Sequence, residues 1–162
     1  MENSNLLLRI YKDVTGEELI VAERENRIVM QKIVFLFSEL GLTIGNYKFA
    51  WDKYGPFSQS LHNDISTISE TDVPYSGEFS ESVQNIILFV RELLNKSVGT
   101  TYSLRNWIEA IASLLFLKRY VYPSYDWEEI NQQLVVLKEH LSNREDNEKA
   151  IESCKLILAY NN

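Results

Sequence analysis

The chain has 162 residues, 45% of them hydrophobic and 24% charged, a balance that fits one soluble domain with a sizeable core and excludes a disordered chain. Sixteen Lys and Arg against twenty-three Asp and Glu leave a net charge of −7, so the long-range field repels phosphate backbones unless basic residues cluster locally, and generic nucleic-acid binding is disfavoured. The single cysteine, Cys154, excludes an intrachain disulfide, a zinc knuckle and a Cys-x-x-Cys pair.

No basic region opens the chain, and no apolar run approaches the roughly 18 residues of a membrane span; a cytoplasmic protein without a membrane partner is expected. Six Gly and three Pro supply little turn chemistry for an all-β fold. Leu6, Leu7, Ile10 and Tyr11 predict a helix from Asn5 to about Lys12, and after the Thr15-Gly16 break Glu17 to Ala22 resumes an apolar pattern, read as a second short helical piece. Asn26 is the expected N-cap of a helix carrying Ile28, Val29, Ile33, Val34, Leu36, Phe37 and Leu40, with Gly41 as its left-handed stop. Tyr47, Phe49 and Trp51 then stand two apart, which predicts a short strand or hairpin near residues 46–54.

Pro56 lies at or near the next helix start, with Ser58 as an alternative cap, and Phe57, Leu61, Ile65 and Ile68 follow the helical period. A loop around Pro74 joins this segment to a helix from Phe79 to about Leu94, ending near Gly99. Leu104 to Tyr120, capped by Ser103 or Thr101, is apolar around most of its circumference and is expected to be the central helix, closed by Lys118 and Arg119. Asp126 is expected to cap Trp127 to Leu141, with Glu128 and Glu129 in its first turn, and a last helix runs from about Asn147 to Tyr160 with Ile151, Cys154, Ile157 and Leu158 inward. The whole reads as a mainly α, single-domain bundle over 1–162, with about six to seven helices and one short hairpin.

Catalytic constellations are poorly represented. His62 and His140 stand in no His-x-x-x-His or His-Glu-x-x-His arrangement and read as solvated or capping residues; His62 and Asp64, two apart on a helix, point to different faces. Cys154 sits on the apolar face of the last helix as a packing residue. Gly41 and Gly45 form no phosphate-binding motif, and the neighbouring acids Glu128 with Glu129 and Glu145 with Asp146 read as solvated. These absences predict a non-enzyme with no catalytic residue, cofactor or metal.

The unusual cluster is Phe49-Ala50-Trp51-Asp52-Lys53-Tyr54-Gly55-Pro56-Phe57-Ser58, with four aromatics in nine residues around a rigid Gly-Pro corner. In one account Phe49, Trp51 and Phe57 anchor the corner in the core while the Tyr54 hydroxyl serves the backbone groups freed by the turn. In the other, the corner and the following helix form a partner surface.

The helix Met30-Gln31-Lys32-Ile33-Val34-Phe35-Leu36-Phe37, the aromatic Tyr54-Gly55-Pro56 corner and Leu61-x-x-Asp64-Ile65 together resemble the Panacea or SocA-like antitoxin domain and are similar to the YwgA-type bacterial proteins. The likeness covers about Arg27 to Ile65, with a looser one over Trp107 to Leu117. It implies a helical bacterial or phage domain that binds and neutralises, or regulates, a toxin or defence effector. It offers Gln31, Lys32, Trp51, Tyr54, Gly55 and Pro56 as partner-binding positions, with a structural role equally open, and Lys53 and Phe57 of the same corner are assigned to partner binding with them.

The chain departs from that pattern in an N-terminal helical extension, residues 1–25, and in an acidic C-terminal helical pair, residues 126–162. From Asp126 to Lys155 that pair carries eight acids against four bases. Such a surface is a solvated face or a lure for a basic groove. A rival reading is a winged-helix-like DNA-binding regulator using Lys32, Lys48 and Lys53. The oligomeric state is left open.

Overall fold

The structure, a computed structural model, describes residues 3–161; Met1, Glu2 and Asn162 lie outside the described residues, and with them the first two positions of the expected N-terminal extension and the last of the acidic C-terminal pair. Among the described residues seven α-helices and one antiparallel hairpin are arranged around a common apolar core. Helix α1 (Ser4–Thr15) turns Leu7, Ile10, Tyr11 and Val14 inward at helical spacing and stops at Gly16, whose φ of +77° only glycine adopts freely.

Glu17 to Ala22 is not helical, contrary to the expected second piece. The seven residues between the left-handed Gly16 and the next helix nucleate poorly alone. Side chains of the following helix also take its backbone groups: Ile20 N–H donates to Asn26 Oδ1 (2.9 Å) and Arg27 Nη1 donates to the Val21 carbonyl (2.7 Å). Asn26 is therefore inside α2 (Arg24–Glu39) rather than its cap, and the helix begins three residues earlier than that cap implies. The run from Ile28 to Phe37 is buried on every side, so α2 shares the centre of the molecule with α5 (Leu104–Phe116), which packs on α2 and on α7 (Arg144–Ala159).

The predicted alternation around Tyr47 to Trp51 is present, each aromatic half-buried and each neighbour exposed. Cross-strand pairing nevertheless lies further along, between β1 (Ala50–Asp52) and β2 (Gly55–Phe57), with Trp51 opposite Pro56 and Asp52 opposite Gly55. Pro56 thus stands in a strand, not at a helix start, which a two-stranded ribbon with free edges tolerates. Ser58 caps α3 (Gln59–Ser66), its Oγ accepting from Leu61 N–H at 3.2 Å.

Ser80 and Ser103 cap α4 (Glu81–Asn95) and α5 in the same way. The expected single helix to Tyr120 divides, since α5 widens after Phe116 into a π turn over Leu117–Val121. Asp126 and Glu129 form a reciprocal capping box on α6 (Trp127–Leu137), which ends four residues before the predicted Leu141. Asn143 caps α7 three residues ahead of the predicted start. Among the described residues no helix is long and apolar enough to cross a membrane.

Candidate functional site

The aromatic corner is built in two layers. Its inner layer belongs to α2, where Gln31 is 3% and Lys32 1% exposed. The Gln31 amide donates to the Ser58 carbonyl (2.9 Å) and accepts from Ser58 N–H (3.0 Å), while Lys32 Nζ donates to the Pro56 carbonyl (2.9 Å). These bonds satisfy backbone groups of β2 and of Ser58 just after it that the narrow ribbon leaves without a second strand. Burial lowers the Lys32 pKa from 10.5 to about 7, against the opposing attraction of Glu109.

Gly55 and Pro56 are also buried, and Gly55 has a φ of +94°. A Cβ there would stand 2.5 Å from Ser113 Oγ on α5, so glycine is required both by conformation and by the close approach of the helix. Neither Lys53 nor Tyr54, the residues that link the strands, takes a positive φ.

A third segment braces the turn from the other side. Lys138, at the end of α6, donates to the Lys53 carbonyl and lies 3.4 Å from that of Asp52, and its ammonium is 4.9 Å from the centre of the Trp51 ring. It also lies 3.4 Å from Glu109, a fully buried acid on α5, whose two oxygens each stand 3.1 Å from His140 Nε2. Burial pulls the Lys138 pKa down, opposed chiefly by Glu109. The carbonyls of the turn are therefore served by Lys32 and Lys138, whereas the Tyr54 hydroxyl, expected to do this, accepts from the Arg24 guanidinium.

The outer layer is cationic and aromatic. Arg24, Lys53 and Arg105 stand 4.8, 5.5 and 5.6 Å from the centre of the Tyr54 ring. Glu25, 3.4 Å from Arg105, is the acid that faces this group most directly, and its side chain is 61% exposed. A local positive patch thus sits on a chain of net charge −7.

All eight positions assigned to partner binding meet at this corner, but they divide by depth. Gln31, Lys32, Gly55 and Pro56 are buried, Trp51, Tyr54 and Phe57 are half-buried, and Lys53 is exposed. Phe49 and Trp51 anchor as expected, with ring centres 5.3 Å from Phe35 and 6.0 Å from Phe116. Sequence reasoning missed Arg24, Arg105, Glu109 and Lys138. Glu109 carried a readable signal, an acid amid an apolar circumference, but its partners come from a segment about thirty residues away.

The remaining candidates fall elsewhere. Asp64 accepts from the Tyr47 hydroxyl (2.6 Å) while the His62 ring lies 5.8 Å from that of Phe57, so the two stay apart as their spacing predicts. His140 is held by Glu109 rather than being simply solvated. Cys154 is fully buried against Ile111, and burial pushes its thiol above the ordinary range. Asp146 is a correction to the solvated acid pairs: it is 3% exposed and accepts from Thr101 N–H (3.0 Å) and the Thr101 hydroxyl. Among the described residues no three His, Cys, Asp or Glu gather in a metal-binding arrangement.

No protein-family model, curated protein sequence or solved structure matches the chain.

Proposed function

We propose that the chain is a non-enzymatic interaction module of the antitoxin kind, which engages an acidic surface of a toxin or defence effector through the outer layer of the corner. The observation that carries this reading is the convergence of Arg24, Lys53 and Arg105 on one half-buried tyrosine. Cations placed this way steer an acidic partner, and a tyrosine and a neighbouring tryptophan supply contact area at small entropic cost. The inner layer adds preorganisation: the turn is held from below by Lys32 and from the side by Lys138, so binding freezes little backbone. The resemblance to the antitoxin domain supports the choice of a protein partner, and a cytoplasmic setting is part of the same reading.

Titration against the purified products of the neighbouring genes tests it. A partner should bind with an on-rate that falls as salt rises, and the Lys53→Glu and Arg105→Glu pair should slow association by about ten-fold or more while leaving the fold intact. Binding unaffected by both reversals, or turnover of a substrate with no partner bound, would reject the reading.

The same three cations also suit phosphates, which keeps DNA as the second reading. Of the lysines that suggested it, Lys48 and Lys53 are exposed and Lys32 is buried on a carbonyl. Retention of duplex DNA at physiological salt, with the steep salt dependence of phosphate neutralisation, would favour this alternative over a protein partner.

A further inference from the structure

Beside the corner, and sharing Arg24 and Tyr54 with its outer layer, a cavity of about 180 Å³ opens between α2, the hairpin and α3. That volume is close to the ~150 Å³ of an apolar cavity known to take a benzene ring. Its floor is apolar, made by Ile28, Phe57 and Ile65, of which Ile28 is 8% and Ile65 1% exposed. Its α2 wall is lined by Arg24 and Arg27, three residues apart on one helix face.

Neither guanidinium has a carboxylate within ion-pair distance among the described residues, where the nine ion pairs include neither arginine. Arg24 is engaged by the Tyr54 hydroxyl and Arg27 by the Val21 carbonyl, so each keeps N–H donors in reserve. Lys32 of α2 and His62 of α3 also line it, and Asp52 is the one acid in the lining. A water-filled cavity of this kind wastes its floor, and a neutral apolar guest leaves two cations uncompensated. A guest with an apolar ring and an anionic end uses both.

We infer that this cavity is a binding site for a small aromatic carboxylate, about one ring in size, whose carboxylate is received by Arg24 and Arg27 and whose ring rests on Ile28, Phe57 and Ile65. The site shares Arg24 and Tyr54 with the outer layer of the corner, but it does not rest on the partner reading, since Arg27 and the apolar residues Ile28, Phe57 and Ile65 belong to the recess and not to the group of Lys53 and Arg105. The source is either a free metabolite or the end of a partner chain, and the shared chemistry is the ring-bearing carboxylate.

Benzoate is the first probe, titrated into the full chain and followed by the methyl NMR signals of Ile28 and Ile65. Saturable shifts with a dissociation constant on the order of 1 mM are expected, given the size of the ligand. Benzyl alcohol, which lacks the charge, and acetate, which lacks the ring, should each bind about ten-fold more weakly. Arg27→Gln should weaken benzoate by a similar factor, and Arg24→Gln, at an exposed position, provides the same reading should the loss of the Val21 bond unfold the first variant. An octapeptide ending in phenylalanine, compared with its C-terminal amide, separates the two sources: preference for the free acid assigns a chain end, and binding of benzoate alone assigns a metabolite. No saturable shift at about 20 mM benzoate, equal binding of benzyl alcohol, or full benzoate affinity in a folded Arg24→Gln protein would overturn the inference.

Discussion

Lys32 Nζ lies 2.9 Å from the Pro56 carbonyl oxygen, joining the middle of α2 to the second strand of the corner through a side chain that is only 1% exposed. Burial lowers its pKa from 10.5 to about 7. Between those values the unfolded chain holds a proton that the folded chain has released, so stability rises with pH from about 7 and the cost of the buried charge is greatest below it. Lys138 acts with the same sign.

In denaturant titrations the midpoint should therefore climb above pH 7, with a slope from Lys32 of at most ~1.4 kcal/mol per pH unit, and Lys32→Met should flatten it without abolishing the share of Lys138. The measurement belongs below the ordinary thiol value of 9.0, because the Cys154 thiol, pushed up by burial, acts in the opposite direction above it, as do Tyr11, Tyr47, Tyr102 and Tyr120, each pushed up to about 12, above 10.0. An unchanged slope in the variant would contradict the assignment.

Gly55 meets two demands that one double-mutant series separates. Gly55→Ala places a Cβ at a φ of +94° and 2.5 Å from Ser113 Oγ, which together should destabilise the protein by ~2–5 kcal/mol. Ser113→Ala alone removes a buried hydroxyl that has no hydrogen-bond partner and should be nearly neutral, within ~0.5 kcal/mol. In the Ser113→Ala background, where the nearest remaining atom of that side chain is its Cβ at 3.7 Å, the Gly55→Ala cost should shrink to the conformational part of ~1–2 kcal/mol. Equal costs in both backgrounds would show that α5 does not crowd the corner.

The helices were legible because their signals are local. The apolar spacing of Leu7, Ile10 and Tyr11 and the serines that cap α3 and α5 need no distant partner to be read. The hairpin was legible as an alternation but not as a register, because pairing depends on which strand edge α2 holds, and Gln31 and Lys32 hold the one after Pro56. The eight corner residues were found as a group while their depths were not, since a Lys in an amphipathic helix reads as exposed until a buried carbonyl is known to face it. Arg24, Arg105 and Lys138 reach Tyr54 and the turn from three separate elements, a convergence that sequence spacing does not encode.

Asp146 tests the difference between neighbouring acids that composition treats alike. Its carboxylate is 3% exposed and joins α7 to the loop before α5 through Thr101, whereas Glu145 has a side chain 84% exposed and a single ion pair with Lys149 at 4.0 Å. Asp146→Ala should cost ~1–3 kcal/mol by leaving the Thr101 N–H and hydroxyl unpaired, and Glu145→Ala should stay within ~0.5 kcal/mol. Thermal denaturation of the two variants side by side reads this out, and equal midpoints would mean that the Thr101 contact carries no weight.

Glu109 and Lys138 form the final pair to be separated, because each is nearly or fully buried and each holds a different part of the corner. Glu109→Gln removes the charge facing Lys138 and should destabilise by ~3–5 kcal/mol, since an ammonium at 3% side-chain exposure is left without its counterion. Lys138→Met should also be costly, through the unpaired Glu109 and the lost bonds to the Asp52 and Lys53 carbonyls. Combining the two changes removes both charges together, so the loss in the double variant should fall short of the sum of the single losses by ~0.5–3 kcal/mol. Additive losses would mean that the two side chains stabilise the corner independently and that His140, 3.1 Å from both Glu109 oxygens, is the more important counter-group; His140→Ala in the wild-type background would then be as damaging as Lys138→Met.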